Sequence, residues 1–533
     1  MTRLRTYDQV KALKDLTSAE EKLLRECKTG EPTILGTSAP DKPTDATQIR
    51  AELLRYLILG GCKDYRPDEI GVRVFGAYIT DTLDLSYGTA KGITELRWCQ
   101  FSSRFNAFDT RLVRLDLSGS CLRDLIAEGA RVAGNVFLDD GFFARGAVSL
   151  SGAEIGGQLA CVGGRFENTG GIALNAQNAR VAGNVDLTGM TATGAVRLAG
   201  AMIGGQLACD GARFDNKNGL AIGAQKTEVR GAFFLRNALI AEGKFDLASA
   251  RVGDLVDDLS SWPERGPSGD ARLNLNGFVY SRISGTQTDL ALRLKWLSLG
   301  NGWQGEFHPQ PYDQLARVMA EMGHARSRRK VLMRCEQLRN RATLGKLVGP
   351  LAGSYGAVLW LADWLHRMFL GYGYEPWRSL SALLFLVAIG WQFAFMAWQE
   401  GSFAPNSDVI VASAEWQSLA RDAEVANPAD VWSTKADPAG LFAAMPHRCW
   451  LVRTPPECLQ GQGMDYEAFH SLAYAVDLVV PLVTLGQEAT WAPSKDRGGW
   501  GFGLWWLRWV LTGAGWIVAA FAAAAVTGLI RRD

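Results

Sequence analysis

Residues 146–166 read GAVSLSGAEIGGQLACVGGRF, and residues 194–214 read GAVRLAGAMIGGQLACDGARF. Most positions are identical across an offset of 48 residues, and a repeat of this kind decides a fold before anything else does. The flanks agree. RVAGNV at Arg131 returns at Arg180, one residue out of phase, and NTGGIALNAQ at Asn168 returns as NKNGLAIGAQ at Asn216. A shorter period lies inside the long one. Strand-like cores follow Gly134, Gly146, Gly157, Gly183, Gly194, Gly205, Gly231 and Gly243, mostly 11 or 12 residues apart. Each core alternates, as Val148 with Leu150 or Val196 with Leu198, which puts the apolar side chains on one face of a strand. The glycine marks a turn that needs positive φ or a close backbone approach.

A unit this short cannot bury its own apolar face. Stacking one coil on the next, about 4.8 Å apart, buries a continuous column. Proline would remove a ladder hydrogen bond, and none occurs between Pro67 and Pro263. The spacing therefore predicts a β-solenoid over residues 70–290, with a coil of either about 24 or about 48 residues. Cys161 and Cys209 share one phase of the repeat. A thiol pair or metal site is the functional reading, but a ladder of small buried apolar groups is simpler.

The flanks are helical in pattern. Ser18–Lys28 and Ala46–Leu59 carry apolar residues at helical spacing, with Ser18 and Thr47 as expected caps, so residues 1–69 form an N-terminal cap over the first coil. After the solenoid, residues 291–346 read as a helical hairpin starting near Pro311 and broken at Gly323. Leu315, Val318 and Met319 form one stripe; Val331, Leu332, Cys335 and Leu338 form another. The second arm is basic: Arg326, Arg328, Arg329, Lys330, Arg334, Arg339, Arg341 and Lys346. Because this patch lies just before an apolar span, anionic lipid head groups are its expected partner, ahead of nucleic acid. The whole chain points the same way, since 56 Lys+Arg stand against 55 Asp+Glu.

Two segments are long and apolar enough to cross a bilayer, 379–398 and 509–530, within a membrane domain spanning 377–533. Sixteen of the 18 tryptophans lie after residue 290, and Trp377, Trp391, Trp398, Trp505, Trp506 and Trp509 border the spans, as an interfacial belt would. Lysine and arginine crowd the approach to the first span and the end of the second (Arg531, Arg532). That bias places both termini in the cytoplasm and residues 399–504, with 13 acidic and six basic residues, outside the cell membrane. Cys449 and Cys458 are the only cysteines of that loop, and a disulfide between them is the expectation there, the other seven thiols staying reduced. Residues 347–376 include an apolar stretch, 349–370, interrupted by Asp363, His366 and Arg367, which reads as an interfacial helix. Residues 469–486 read as a re-entrant segment, with Asp477, Pro481, Thr484, Gly486 and the following Glu488 as its candidate site.

Catalytic motifs are weak. Gly300, Gly302 and Gly305 spell a dinucleotide fingerprint, but Pro309 and Pro311 prevent a helix from opening on it. The five histidines have no ligand partner at metal-binding spacing. No cofactor or metal is expected from these residues.

GVRVFGAYITDTLDL (71–85), LRWCQF (96–101), LVRLDLSGSCL (112–122) and the GGQLAC coils resemble actinobacterial membrane-associated, pentapeptide-like repeat proteins. PYDQLARVMAEMG, GYGYEPWRS and YAVDLVVPLVTLGQEATWAP (474–493) are similar to the C-terminal part of the same family. The resemblance implies a solenoid at a membrane without an established activity; some members carry the label "membrane-associated oxidoreductase". The spacing of 11 to 12 departs from strict five-residue coils. Residues 469–486 are also loosely similar to the pore segment of two-helix cation channels, with Thr484-Leu-Gly-Gln in place of the filter. The sequence thus predicts a membrane-anchored scaffold for a cytosolic protein partner. An oligomeric channel-like effector and an oxidoreductase are the alternatives, and homo-oligomers fit the first two.

Overall fold

The computed structural model describes residues 16–285, 288–345, 377–434 and 467–526, with Leu4, residues 6–11, Leu13, Trp360 and Trp364. Two compact units divide the chain, Met1–Ala342 and Thr343–Asp533.

The first unit is a parallel β-solenoid. A single registered column climbs it through Val72, Thr94, Leu115, Val136, Leu159, Val185, Leu207, Phe233, Leu255 and Ile283. One coil therefore takes 21 to 28 residues, which resolves the two periods left open by the spacing. From Leu159 to Leu255 the coils alternate between 26 and 22 residues. The 48-residue repeat is a long coil plus a short one. The extra residues of the long coils sit at one corner, NTGG at 168–171 and NKNG at 216–219, where the ladder register slips. Asn168 and Asn216 close those corners alike, donating from Nδ2 to the carbonyls of Ile172 and Leu220 at 2.9 and 2.8 Å.

Each coil has four sides. In one they are Arg131–Val132, Val136–Phe137, Phe143–Ala144 and Val148–Ser149, and Glu154–Ile155 then returns to register with the first. The glycine-led cores are the second and fourth sides, so a spacing of 11 to 12 counts two sides at a time. Leu, Val, Phe and Ala side chains from all four sides fill the interior and are almost wholly buried. Each large one contributes about 1.5–3 kcal/mol relative to exposure.

Glycine serves this stack in two ways. At Gly183 a Cβ would lie 2.8 Å from the Gly157 carbonyl oxygen of the coil below, so only glycine lets the coils close at that corner. The Gly183 amide donates to that same oxygen at 2.8 Å. At the corners following the second and fourth sides the chain needs positive φ. Gly200 supplies it at +70°, and Lys226 adopts +56° at the same corner one coil on, at the cost an L-residue meets there.

Both ends of the stack are covered. Helix α1 (Ser18–Thr29) starts at Thr17, which forms a capping box with Glu20. Ser18, the expected cap, is instead turned to the Asp45 carbonyl at 3.0 Å. The second expected helix is shorter than its pattern. Gln48–Arg50 pair in parallel with Tyr78–Thr80, and α2 covers only Ala51–Ile58. Ile49 is fully buried there, and the strand satisfies the edge of the first coil that a helix would leave unpaired. Thr33–Ile34 extend the neighbouring sheet onto Val74–Phe75 in the same way. At the far end, α3 (Leu290–Leu299), capped by Asp289, begins where the solenoid was expected to stop. The hairpin follows as α4 (Gln310–Glu321) and α5 (Ala325–Gly345), with Gly323 at φ +84° between them.

The second unit holds two long apolar helices, α6 (Trp377–Gln399) and α8 (Gly499–Val526), each long and apolar enough to cross a membrane. Helix α8 starts ten residues before the expected span, while 527–530 lie outside the described residues. A short helix, α7 (Ser471–Val479), packs between them. Phe403–Pro405 and Trp491–Pro493 pair antiparallel just beyond α6 and just before α8.

Candidate functional site

The outward columns of the solenoid are the surfaces where side chains of one type recur at coil spacing. On the first side, Arg111, Arg131, Glu154, Arg180, Met202 and Glu228 stand in register and exposed. Glu154 bridges its neighbours, 3.3 Å from Arg131 and 3.8 Å from Arg180. Two residues further along each strand, Ala133, Gly156, Ala182 and Gly204 form a second outward column with almost no side chain. A tall charged column beside a shallow one makes a groove of about 660 Å³ along this side, ending at Arg230. Neither Glu228 nor Arg230 has an ion pair within 4.0 Å among the described residues. Its strands begin with Arg, Glu or Met rather than glycine, so beyond the RVAGNV repeat at Arg131 and Arg180 no sequence signal marked this side.

The inner columns explain the cysteines. Cys161 and Cys209 are buried and free, and one coil, at the level of Leu187, separates them. Two rungs are about 9.6 Å, too far for a disulfide. Burial pushes both thiols up, further so beside Asp139 and Asp186 for Cys161 and beside Asp210 and Asp186 for Cys209. They are packing groups. All seven cysteines among the described residues are free, while Cys449 and Cys458 lie outside those residues.

Buried ion pairs hold the two ends. Glu20 is fully buried and accepts from Arg50 at its backbone nitrogen (2.9 Å) and Nε (2.8 Å). Asp257 and Arg293 form a buried fork at 2.7 and 2.9 Å, and Trp262 Nε1 donates to the same carboxylate at 2.6 Å. Around this pair Trp262, Trp296 and Tyr280 pack ring against ring and seal the last coil.

The glycine fingerprint has no dinucleotide geometry. Helix α3 precedes Gly300 where a strand is needed, and a tight turn over Trp303–Gly305 follows with Gly302 and Gly305 both at φ +81°. Among the described residues no group of three or more His, Cys, Asp or Glu is placed to hold a metal.

On α5 the basic residues divide. Arg326, Arg328, Arg329, Lys330 and Arg341 are exposed. Arg334 and Arg339 are half-buried, donating to Gln337 at 3.3 Å and pairing with Glu336 at 2.9 Å. Lys346 and most of 349–370 lie outside the described residues.

In the second unit, Asp477 accepts backbone N–H groups from Leu485 (2.7 Å) and Glu488 (2.9 Å). It closes the turn that carries Pro481, Thr484 and Gly486 back onto α7. Gly486, at φ +83°, starts the short helix Gln487–Thr490 that presents Glu488. Small residues let α7 approach the long helices. Gly390 meets Ala475, and a Cβ on Gly515 would collide with the Val479 carbonyl. Gly513, two residues earlier in α8, has open space instead, so of this pair only Gly515 serves packing. Trp398, expected at a membrane interface, stacks on Phe469 with ring centroids 4.2 Å apart and belongs to an aromatic core with Phe403, Tyr474 and Trp491.

Glu400, just past α6, accepts from the amides of Gly499 (3.0 Å) and Trp500 (2.8 Å) at the start of α8. Burial opposes its charge, but the Trp500, Ser402 and Gly499 donors win and hold its carboxyl below the usual range. The contact joins the end of one long helix to the beginning of the other, so the two run in opposite directions. Their outer flanks carry exposed apolar side chains: Leu384, Phe385, Trp509 and Val510 are each more than 60% exposed. Comparison with known protein families, curated proteins and solved structures finds no match for this chain.

Proposed function

We propose that this protein is a membrane-anchored scaffold whose β-solenoid presents a rigid surface to a cytosolic protein partner. The observation that carries the reading is the unbroken registered column from Val72 to Ile283. Its backbone groups are spent on neighbouring coils, so what the solenoid offers is fixed arrays of side chains rather than a catalytic pocket. The two apolar helices supply the anchor, in the cell membrane, with both termini cytoplasmic and residues 399–504 outside. Exposed arginines of α5 meet anionic head groups. The likeness to membrane-associated pentapeptide-like repeat proteins belongs to this reading and carries no activity with it.

The channel reading would need Asp477 free to meet an ion. Its two backbone donors support a structural latch instead. The oxidoreductase reading would need a cofactor cradle, and the helix before Gly300 speaks against the one fingerprint present.

Purified full-length protein in liposomes separates these roles. The scaffold reading expects no cation flux above empty vesicles, and capture of one specific partner by a fragment ending at residue 342. Cation flux abolished by Asp477→Asn would overturn it.

A further inference from the structure

Resting on the scaffold reading, we propose that the groove on the first side of the solenoid holds an extended acidic segment of the cytosolic partner, lying along the solenoid axis. The tall column does not stop at Glu228. Arg251 stands in register with it one coil further and is exposed. The four arginines that line the groove, together with Arg251, face only Glu154 and Glu228. The whole chain is almost balanced, at 56 Lys+Arg against 55 Asp+Glu, so this excess of positive charge is local. Pairing inside the chain does not cancel it. Glu154 is shared between Arg131 and Arg180 at 3.3 and 3.8 Å. Arg111, Arg230 and Arg251 have no ion pair within 4.0 Å among the described residues, and Glu228 can offset only one of them. A surface of this kind attracts and orients an acidic partner.

The shape of the floor selects an extended chain. Ala133, Gly156, Ala182 and Gly204 make it, and neither glycine could carry a side chain. A Cβ on Gly156 would lie 2.2 Å from the Ala133 carbonyl oxygen, and one on Gly204 would lie 2.2 Å from that of Ala182. No side chain larger than a methyl group therefore interrupts the floor over four coils, about 14 Å. Arg111 stands one coil below this floor and Arg230 one coil above it, five rungs and so about 24 Å apart. An extended chain covers about 24 Å in about seven residues. Acidic side chains at that separation reach both arginines at once, with small residues over the floor between them. The backbone groups of this side are spent on neighbouring coils, so the segment is held by its side chains rather than as an added strand. The two glutamates in the charged column disfavour a uniform polyanion such as nucleic acid, whose evenly spaced phosphates would be set against both.

Fluorescence anisotropy on full-length protein in mild detergent tests the contact with a labelled peptide, Glu-Glu-Ser-Ala-Ser-Ala-Ser-Ala-Glu-Glu. The reference is the same peptide with Gln for every Glu. The acidic peptide should bind and the Gln peptide should not. Arg111→Glu and Arg230→Glu should each weaken binding by about fivefold or more. Arg104→Glu, at an exposed arginine between the third and fourth sides, and Arg328→Glu on α5 should leave it at the wild-type level. All four residues are exposed, so the thermal unfolding midpoint should not move. No binding of the acidic peptide, equal binding of the Gln peptide, or equal weakening by all four substitutions would each overturn the proposal. So would a DNA duplex that binds more tightly than the peptide and is lost with the same two arginines, which would assign the groove to nucleic acid. The scaffold reading survives failure of the acidic peptide, because the liposome flux decides it separately.

Discussion

Gly183 and Asp258 show how single residues set the solenoid's tolerances. The glycine is read easily from GNVDL, but spacing alone does not tell positive φ from crowding. Only the stacked coils reveal that Gly183 is limited by the Gly157 carbonyl rather than by its own dihedral. Gly183→Val should therefore lower stability by roughly 2 kcal/mol or more, as overpacking in a rigid stack does. Gly152, at φ +64° with nothing near a Cβ, should lose only about 1 kcal/mol on change to Ala. Thermal unfolding followed by circular dichroism distinguishes the two.

Asp258 is a pH-dependent counterpart. Burial opposes its charge, but donors from Asn237, Ser260 and Ser261 hold its carboxyl below the usual range. A depressed folded pKa contributes stability above the unfolded value, about 3.9, and loses it as pH falls through the folded one. Asp258→Asn should cost about 1 kcal/mol at pH 7, typical of a lost cap. That gap should close on acidification below pH ~4, read as converging unfolding midpoints.

At the scale of elements, the ends of the stack depend on groups with no local signature. Asp257 and Arg293 are 36 residues apart, and each is an ordinary charged residue in its own segment. Docking α3 on the last coil buries both, so removing one leaves the other charged and unpaired. Arg293→Ala should cost about 3–5 kcal/mol, while Asp257→Leu/Arg293→Met together should recover much of the loss. Urea unfolding of the three variants measures the difference. The same logic accounts for the shortened α2. Gln48–Arg50 have a helical pattern, but an open sheet edge beside them offers three residues a ladder, and Ile49 a place in the core. Half of the solenoid's strands escaped the pattern for a related reason. Sides such as Arg131–Val132 or Glu154–Ile155 bury one large side chain and have no leading glycine, whereas Val136–Phe137 alternates on into buried Leu138.

For the whole molecule, the sequence by itself determined that the chain is a β-solenoid followed by two apolar helices. Both follow from composition repeated at fixed spacing: glycine-led alternation every 11 to 12 residues, and some 20 residues without a charge. Such signals are local and survive without knowledge of the fold. Tertiary structure alone decided the rest. Four sides per coil, alternating long and short coils, and the groove formed by one tall and one shallow column exist only once coils are stacked. So does the Glu400 bond that sets α6 and α8 in opposite directions, between groups 99 and 100 residues apart. Spacing along a strand fixes which face a side chain takes. What stands beside it is fixed by the coil above and the coil below, and those lie 21 to 28 residues away.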